Sequence, residues 1–463
     1  METIAAIATA SGVGGIGIIR ISGTKAKSIA KKITKKSISK PRVASIRNFY
    51  EFCDNKNYPK PKLIDFGILL YFSAPNSFTG EDIVEMHIHG SPIALSLLLQ
   101  SCINAGAKLA LAGEFTKRAF INDKIDLVQA EAVADLINAS SKSAAIGAAA
   151  SLKGEFSQKI NSVSKNIIEI RSLIEVGLDF SDEDLQFIEK KQLIKKINLI
   201  EKELIQLSRQ TNNGKILNEG IKVAIIGEVN VGKSSLLNAL IGEEIVIVTD
   251  FPGTTRDAIT QTLLIEGIPF HIIDTAGIRS TNNPVEKIGI SRTKSAIISA
   301  DLILHIKCFD REGKINEDIF TQQLINSALN EKKNENDNNR ILEVINKCDL
   351  LNSQKNYQDK KLIISAKERI GLEQLKKKII TKSGFTQERQ SEQSLFIARS
   401  RHLVAINKCL GHIQTAKNLA KYENEELIAE ELRLAHLALQ NITGKYAPDD
   451  LLGEIFSNFC IGK

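Results

Sequence analysis

The sequence predicts a multidomain chain of α/β and α class: an N-terminal α/β domain, a helical domain, and a second α/β domain inserted into the helical one. Three observations lead there. The 463 residues suggest about three domains on the usual ~150-residue scale. Two stretches mix short Ile/Val-rich runs with glycine punctuation, as strands do. Two other stretches carry apolar residues at helical spacing, and they lie on either side of the second mixed stretch.

Residues 1–122 read as the first α/β domain. IAAIATASG and GIGIIRISG are short β-type runs, and IDFGILLYFSAP and EDIVEMHIHG are two more strands. SPIALSLLLQSCINAG is a helix pattern with Ser-Pro at its start and Gly106 beyond its end. His87 and His89 alternate on a strand and share a face, but two histidines alone do not make a metal site.

Residues 123–213 read as the first part of a helical domain, through AEAVADLINASSKSAAIGAAASLKGEF, KINSVSKNIIEIRSLIEVG and QLIKKINLIEKELIQLSRQ. In residues 214–382, IKVAIIG, IPFHIIDTAG, ADLILHIK, RILEVINK and KLIISA read as strands. Several are apolar almost throughout, as parallel strands buried on both faces are. Asn330–Arg340 (NEKKNENDNNR) reads as a polar surface loop. Residues 383–463 return to helix, as the second part of the helical domain, with RSRHLVAINKCLGHIQTAKNLA and EELIAEELRLAHLALQNITG amphipathic.

Bulk properties narrow the function classes. Hydrophobic residues make up 43% and charged residues 25%, so each domain can bury a core. No run of 18 uncharged apolar residues occurs, and METIAAIATASGVGG lacks the basic start of a targeting peptide. No membrane span, no membrane partner and a cytoplasmic location are therefore expected. Six scattered cysteines form no CxxC pair, which argues against zinc and against a disulfide framework. A net charge of +7 suits an RNA partner, yet Lys, Ile and Asn abound throughout and dilute that signal.

The chemistry lies in 214–382. GEVNVGKS (Gly227–Ser234) fits GxxxxGK[ST] between the strand VAIIG and the helix SLLNALIG. Its glycines let backbone N–H groups turn inward toward phosphate oxygens, aided by the helix N-terminus. Lys233 would bridge the β- and γ-phosphates, and Ser234 would offer its hydroxyl to Mg²⁺. In DFPGTTRD, Thr254 and Thr255 follow the first helix, and one of them would complete the magnesium shell. In DTAG, Asp274 would hold Mg²⁺ through water and the Gly277 N–H would meet the γ-phosphate. NKCD (Asn346, Lys347, Cys348, Asp349) offers Asp349 to the guanine N1–H and 2-amino group, a donor pair adenine lacks. SAK (Ser365, Ala366, Lys367) would help grip the base. Five such motifs in this order predict a Ras-like P-loop GTPase domain. Ile278 and Arg279 stand where Ras-like enzymes place a water-orienting Gln, which leaves Glu286 as the candidate to orient water indirectly. Asn230 is an uncharged oxygen donor able to ligate a monovalent cation.

Beyond these motifs, PNSFTGEDIVE, GEFTKRAFINDKIDLVQAEAVADLI, PGTTRD and LLGEIFSNFCIGK run from one end of the chain to the other. Together they make it resemble the MnmE (TrmE) family of tRNA-modification GTPases. The resemblance implies homodimers whose GTPase domains meet when nucleotide is bound, with potassium at the shared face. The matching potassium ligands are Asn230, Thr249, Phe251 (through its carbonyl) and Thr254, and Thr255 is the magnesium threonine. It implies that nucleotide contacts extend over Asn230, Val231, Gly232, Lys233, Ser234 and Ser235, over Thr249, Asp250, Phe251, Pro252, Gly253, Thr254 and Thr255, and over Asp274, Thr275, Ala276 and Gly277. Glu286 matches the family's catalytic glutamate.

The resemblance further implies that the N-terminal domain is a tetrahydrofolate-binding-like fold. Arg20, Glu85, Lys124 and Lys463 match the positions that contact a formyl-folate ligand. Arg and Lys suit its carboxylates, and Glu85 can accept from the pterin ring. Cys460 lies near that end of the chain as a candidate thiol. An FAD-binding partner of the MnmG (GidA) kind is implied, forming a heterotetramer or larger complex. With tRNA as substrate, the pair would place an aminomethyl-type (carboxymethylaminomethyl) group on carbon 5 of the wobble uridine, using a folate one-carbon unit. The strand ending HIKCFD departs from the usual pattern, away from the phosphates. Two rivals compete. A ribosome-assembly GTPase would commonly carry an RNA-binding domain, but the C-terminal helices hold no KH-type GXXG loop. A folate-dependent transferase would use its GTPase only for regulation.

Overall fold

The computed structural model describes residues 2–38, 40–52, 62–179, 190–242, 245–247, 259–274, 284–309, 315, 318–332, 340–350, 362–385, 395–422, 424–444, 449–457, 459 and 462. They form two compact units, one of residues 1–134, 152–164 and 436–463, the other of residues 135–151 and 165–435.

The first unit contains β1 (Ile4–Ile7), β2 (Gly14–Ser22), α1 (Ala26–Thr34), β3 (Ser45–Tyr50), β4 (Leu63–Phe72), β5 (Ile83–Gly90), α2 (Pro92–Asn104), β6 (Lys108–Leu109) and α3 (Glu114–Ile121). Helix α4 (Leu127–Ile137) belongs to it as far as Ala134. The strands make one sheet in the order β3-β4-β5-β2-β1-β6. Ile19 and Ile21 of β2, with Val84 and Met86 of β5, pack against Ile29 and Ile33 of α1 and Leu95 and Leu98 of α2. Strand periodicity then turns Arg20 and Glu85 to the opposite face, directly across from one another. Phe115 is buried there with Ile4, Ala6 and Ala110, and the Arg20 guanidinium lies 5.8 Å from its ring centre. Ser91 caps α2 through its hydroxyl, which accepts from the Ala94 N–H.

Helices α5 (Lys142–Leu152) and α6 (Glu155–Asp179) follow, then α7 (Lys190–Glu219), which runs unbroken through residue 214 to within two residues of β7 (Ile221–Ile226). The second α/β part continues with α8 (Lys233–Ile241), β8 (Ile245–Ile247), β9 (Ile259–Ile265), β10 (Ile268–Asp274), α9 (Pro284–Ser299), β11 (Leu302–Cys308), α10 (Ile319–Lys332), β12 (Ile341–Asn346), β13 (Leu362–Ile363) and α11 (Leu372–Lys382). Its sheet has the order β13-β12-β11-β7-β10-β9-β8. The pairs from β13 to β10 are parallel, and β9 and β8 add antiparallel strands at one edge. One face packs against Leu236, Leu240, Leu375 and Ile379, from α8 and α11. The other packs against Ile297, Ile325 and Leu329, from α9 and α10. This is the doubly covered sheet of a Ras-like domain, in which ligand sites form at the carboxyl ends of the parallel strands.

The chain then returns to α7. Phe396 passes so close to Gly214 that a side chain there would meet its carbonyl oxygen. Asn212 donates to the Gly384 carbonyl at 3.2 Å, and α12 (Ser400–Leu419) packs along α7. Exit and re-entry of the inserted domain thus lie side by side, which is what an insertion requires. Helices α13 (Glu425–Thr443) and α14 (Asp449–Ser457) end the chain. Among the described residues, no helix is long and apolar enough to cross a membrane.

Candidate functional site

Strand β7 delivers the chain into the phosphate loop, and α8 begins at Lys233 immediately after it. Gly232 has φ +97°, and a Cβ on it would collide with the Asn346 side-chain amide. Only glycine lets the loop turn this close to its neighbour. Asn230, at the exposed crest, has φ +66°. Asn tolerates that left-handed backbone better than most residues. Lys233 Nζ donates to the Gly227 carbonyl at 2.8 Å and the Glu228 carbonyl at 2.6 Å, which holds the ammonium against the loop. Ser234 and Ser235, in the first turn of α8, are at least partly open to solvent. Burial, then the nearby Asp318 charge, raise the Glu228 carboxyl above its ordinary range, with Lys233 opposing.

The NKCD and SAK segments are tied to this loop. Asn346 ends β12 and is 2% exposed. Its amide donates to the Val231 carbonyl at 2.9 Å, and its Oδ1 accepts from the Ala366 N–H at 3.0 Å. One side chain therefore joins the phosphate loop to the SAK loop. Ser365 exchanges two backbone bonds with Ile370, both 3.0 Å, which closes that loop into a tight turn. The Ser365 hydroxyl donates to Asp349 Oδ1 at 2.5 Å and accepts from the Glu368 N–H at 3.2 Å. Asp349 stands in a single 3-10 turn, Cys348–Leu350, that starts after Lys347 at φ +65°. One oxygen of its carboxylate is thus held by the SAK loop.

Asp274 closes β10 beside Ile225 of β7, at the carboxyl ends of both strands. Glu286 lies in the first turn of α9. Thr249, Asp250, Phe251, Pro252, Gly253, Thr254, Thr255, Thr275, Ala276, Gly277, Cys460 and Lys463 lie outside the described residues.

In the first unit, Arg20 Nε donates to Glu85 Oε1 at 2.9 Å. Lys124 lies against Gly80, at the turn between β4 and β5. That turn is braced by a partly buried network invisible in the sequence. Arg118 reaches both oxygens of Glu81 (3.2 and 3.0 Å) and Glu114 Oε1 (2.8 Å). Ser22 donates to Glu81 Oε2 at 2.7 Å, and Asn122 donates to the Thr79 carbonyl at 2.6 Å. His89 pairs with Asp65 at 3.0 Å, away from His87, which faces Glu85 at 3.3 Å. Among the described residues, no group of three or more His, Cys, Asp or Glu could hold a metal ion.

Comparison with known proteins adds the wider frame. A model described as MnmE helical domain matches residues 127–460, and one described as GTP-binding protein TrmE N-terminus matches residues 3–124. The chain belongs to the MnmE (TrmE) family of tRNA modification GTPases. It is 44% identical over 463 residues to tRNA modification GTPase MnmE of Francisella tularensis subsp. tularensis, covering 100% of this chain and 99% of that one. The same figures hold for the protein of that name from Francisella philomiragia subsp. philomiragia. A solved structure of an Aquifex aeolicus Era variant bound to GDP·AlF4⁻ shares 22% identity over 42% of this chain and 66% of that one. Its TM-score of 0.28 is too low to carry an argument. The Ras-like fold rests instead on the strand order and on the loops described above.

Proposed function

We propose that this chain hydrolyses GTP at the loops joined by Asn346, and that the hydrolysis drives modification of carbon 5 of the tRNA wobble uridine. The observation that carries this reading is the 44% identity to curated tRNA modification GTPases over the full chain.

In this reading Lys233 leaves its loop carbonyls for the β- and γ-phosphates, a point charge replacing water around them. Asp349, held by Ser365, accepts the paired N–H donors of guanine. An acceptor that expects two donors rejects adenine, which lacks that donor pair. Ser234 and Thr255 would offer hydroxyl oxygens, and Asp274 would act through water, a donor chemistry that suits the hard ion Mg²⁺. Asn230, exposed in the loop, would offer its side-chain oxygen to a potassium ion, and the family match adds Thr249, Phe251 and Thr254 as its further ligands. Bound there, potassium would neutralise charge developing at the β–γ bridge. Glu286 would orient the attacking water through a second water, in place of the Gln that this loop lacks.

The remaining parts of the reading follow the family. Arg20, Glu85, Lys124 and Lys463 would hold a formyl-tetrahydrofolate, and the paired Arg20 and Glu85 offer a cation and an acceptor on one sheet face. The chain would act in the cytoplasm as a homodimer, with an FAD-binding MnmG (GidA)-like protein, on tRNA. Nucleotide-dependent closure of the GTPase domains would reach the modification chemistry as a population shift. The domains carrying these roles would be 1–122, 123–213, 214–382 and 383–463. The test is a strain lacking the gene, complemented by the wild-type chain or by Lys233→Ala, with wobble uridine read by mass spectrometry of its tRNA. Restoration by the wild type alone is expected. Intact modification in the uncomplemented strain, with immature ribosomal subunits accumulating, would contradict it.

A further inference from the structure

The two oxygens of Glu85 are held by different residues. Oε1 accepts from Arg20 Nε at 2.9 Å, and Oε2 lies 3.3 Å from His87 Nε2. Sheet geometry produces this arrangement. Arg20 sits directly opposite Glu85 across the β2–β5 pair, and His87 sits two residues along β5, on the same face. The three side chains are 14–23% exposed, so they are largely shielded while still reachable. A carboxylate only accepts, so in a hydrogen bond between these two atoms His87 Nε2 is the donor. It also has about four acceptor positions, so both oxygens keep capacity for a ligand after these two bonds. The backbone under His87 is fixed as well. Strand β4 passes it at Gly67, where a Cβ would collide with the His87 carbonyl oxygen.

We infer that His87 is a positioning residue for Glu85, holding its carboxylate plane for the adjacent N–H donors of a reduced pterin's aminopyrimidine edge. This rests on the folate reading above. The terminal torsion of a glutamate is broad and roughly two-fold. With Arg20 alone, one oxygen is anchored and the other can swing. With His87 also bound, both oxygens are presented together, and less freedom remains to be frozen when the ligand arrives.

The test titrates full-length wild-type protein, His87→Leu, His87→Ala and His87→Gln with 5-formyl-tetrahydrofolate by calorimetry, with a melting curve for each. Loss of the N–H in the Leu and Ala variants weakens binding about 5- to 20-fold, the scale of one hydrogen bond to a charged group at a partly exposed site. Gln restores a side-chain N–H and keeps affinity within about threefold of wild type. A general structural role would not separate Leu from Gln in this way. Should the smaller Ala variant melt early, the Leu and Gln pair still decides. Leu binding as tightly as wild type, or folded Gln binding as poorly as Leu, overturns the proposal while leaving the folate reading intact. No binding by the wild type overturns the folate reading and this proposal with it.

Discussion

Asn346 donates to the Val231 carbonyl at 2.9 Å, joining the end of β12 to a phosphate loop 115 residues earlier in the chain. Its Oδ1 is committed as well, to the Ala366 N–H. Both bonds are buried, so Asn346→Ala leaves an orphaned carbonyl and an orphaned amide at roughly 1–3 kcal/mol each. The expected result is a loss of GTP and GDP affinity of at least about tenfold, with a lower melting temperature. Titration with a fluorescent guanine nucleotide measures it. Unchanged affinity would show that the two loops are positioned independently.

Asp349→Asn replaces one acceptor by a donor at the base. Guanine then meets a like donor at one position, whereas xanthine presents a carbonyl there. Guanine nucleotide affinity should fall at least about 100-fold while xanthine nucleotide binding rises. Parallel calorimetric titrations with GTP and XTP decide it. Tight GTP binding by the variant would remove Asp349 from base recognition.

The Arg118 side chain is 6% exposed and holds Glu81 and Glu114 together. Arg118→Met strands two partly shielded carboxylates without their cation. Glu81 and Glu114 keep 17% and 21% exposure, so the cost falls below that of breaking a fully buried pair, at about 2–3 kcal/mol. Chemical denaturation should report a loss of that size for the N-terminal unit, and a loss below about 1 kcal/mol would mean the network is solvated in practice.

His305 is fully buried on β11, 3.7 Å from Asp318 and 3.9 Å from Glu343. Burial, then the Lys307 charge, lower its pKa despite both carboxylates. The unfolded chain therefore takes up this proton at higher pH than the folded one. Stability from this group is fully present above the unfolded value of about 6.5 and is lost as pH falls below it. Melting temperatures at pH 7.5 and 5.5 should differ less in His305→Leu than in the wild type. An equal difference in both would contradict this.

Much of this was legible in the sequence because its motifs are local. The phosphate loop, NKCD and SAK each sit at a strand end, and the long Ile-rich strands β7, β10, β11 and β12 announce themselves by composition. Strand β9 was less visible: ITQTLLI alternates weakly, and its hairpin to β10 turns through Glu266 and Gly267, both at positive φ, without the more familiar Asn-Gly pair. Helix α7 was legible as a helix, but its end was not. No glycine or proline breaks the pattern after Gly214, and the next glycine, Gly220 at φ +70°, is where it stops. The Arg118–Glu81–Ser22 network could not be read at all. Its members lie 37 and 59 residues apart and meet only through the fold. The same holds for His87, whose relation to Glu85 follows the strand period but whose use depends on Arg20 across the sheet.

The central claim, potassium-assisted GTP hydrolysis at the phosphate loop, is tested most directly by the GTPase rate of the purified chain in potassium against sodium at equal ionic strength. The account predicts a strong potassium preference that Asn230→Ala abolishes. Equal rates in the two salts, or a preference that survives Asn230→Ala, would contradict it.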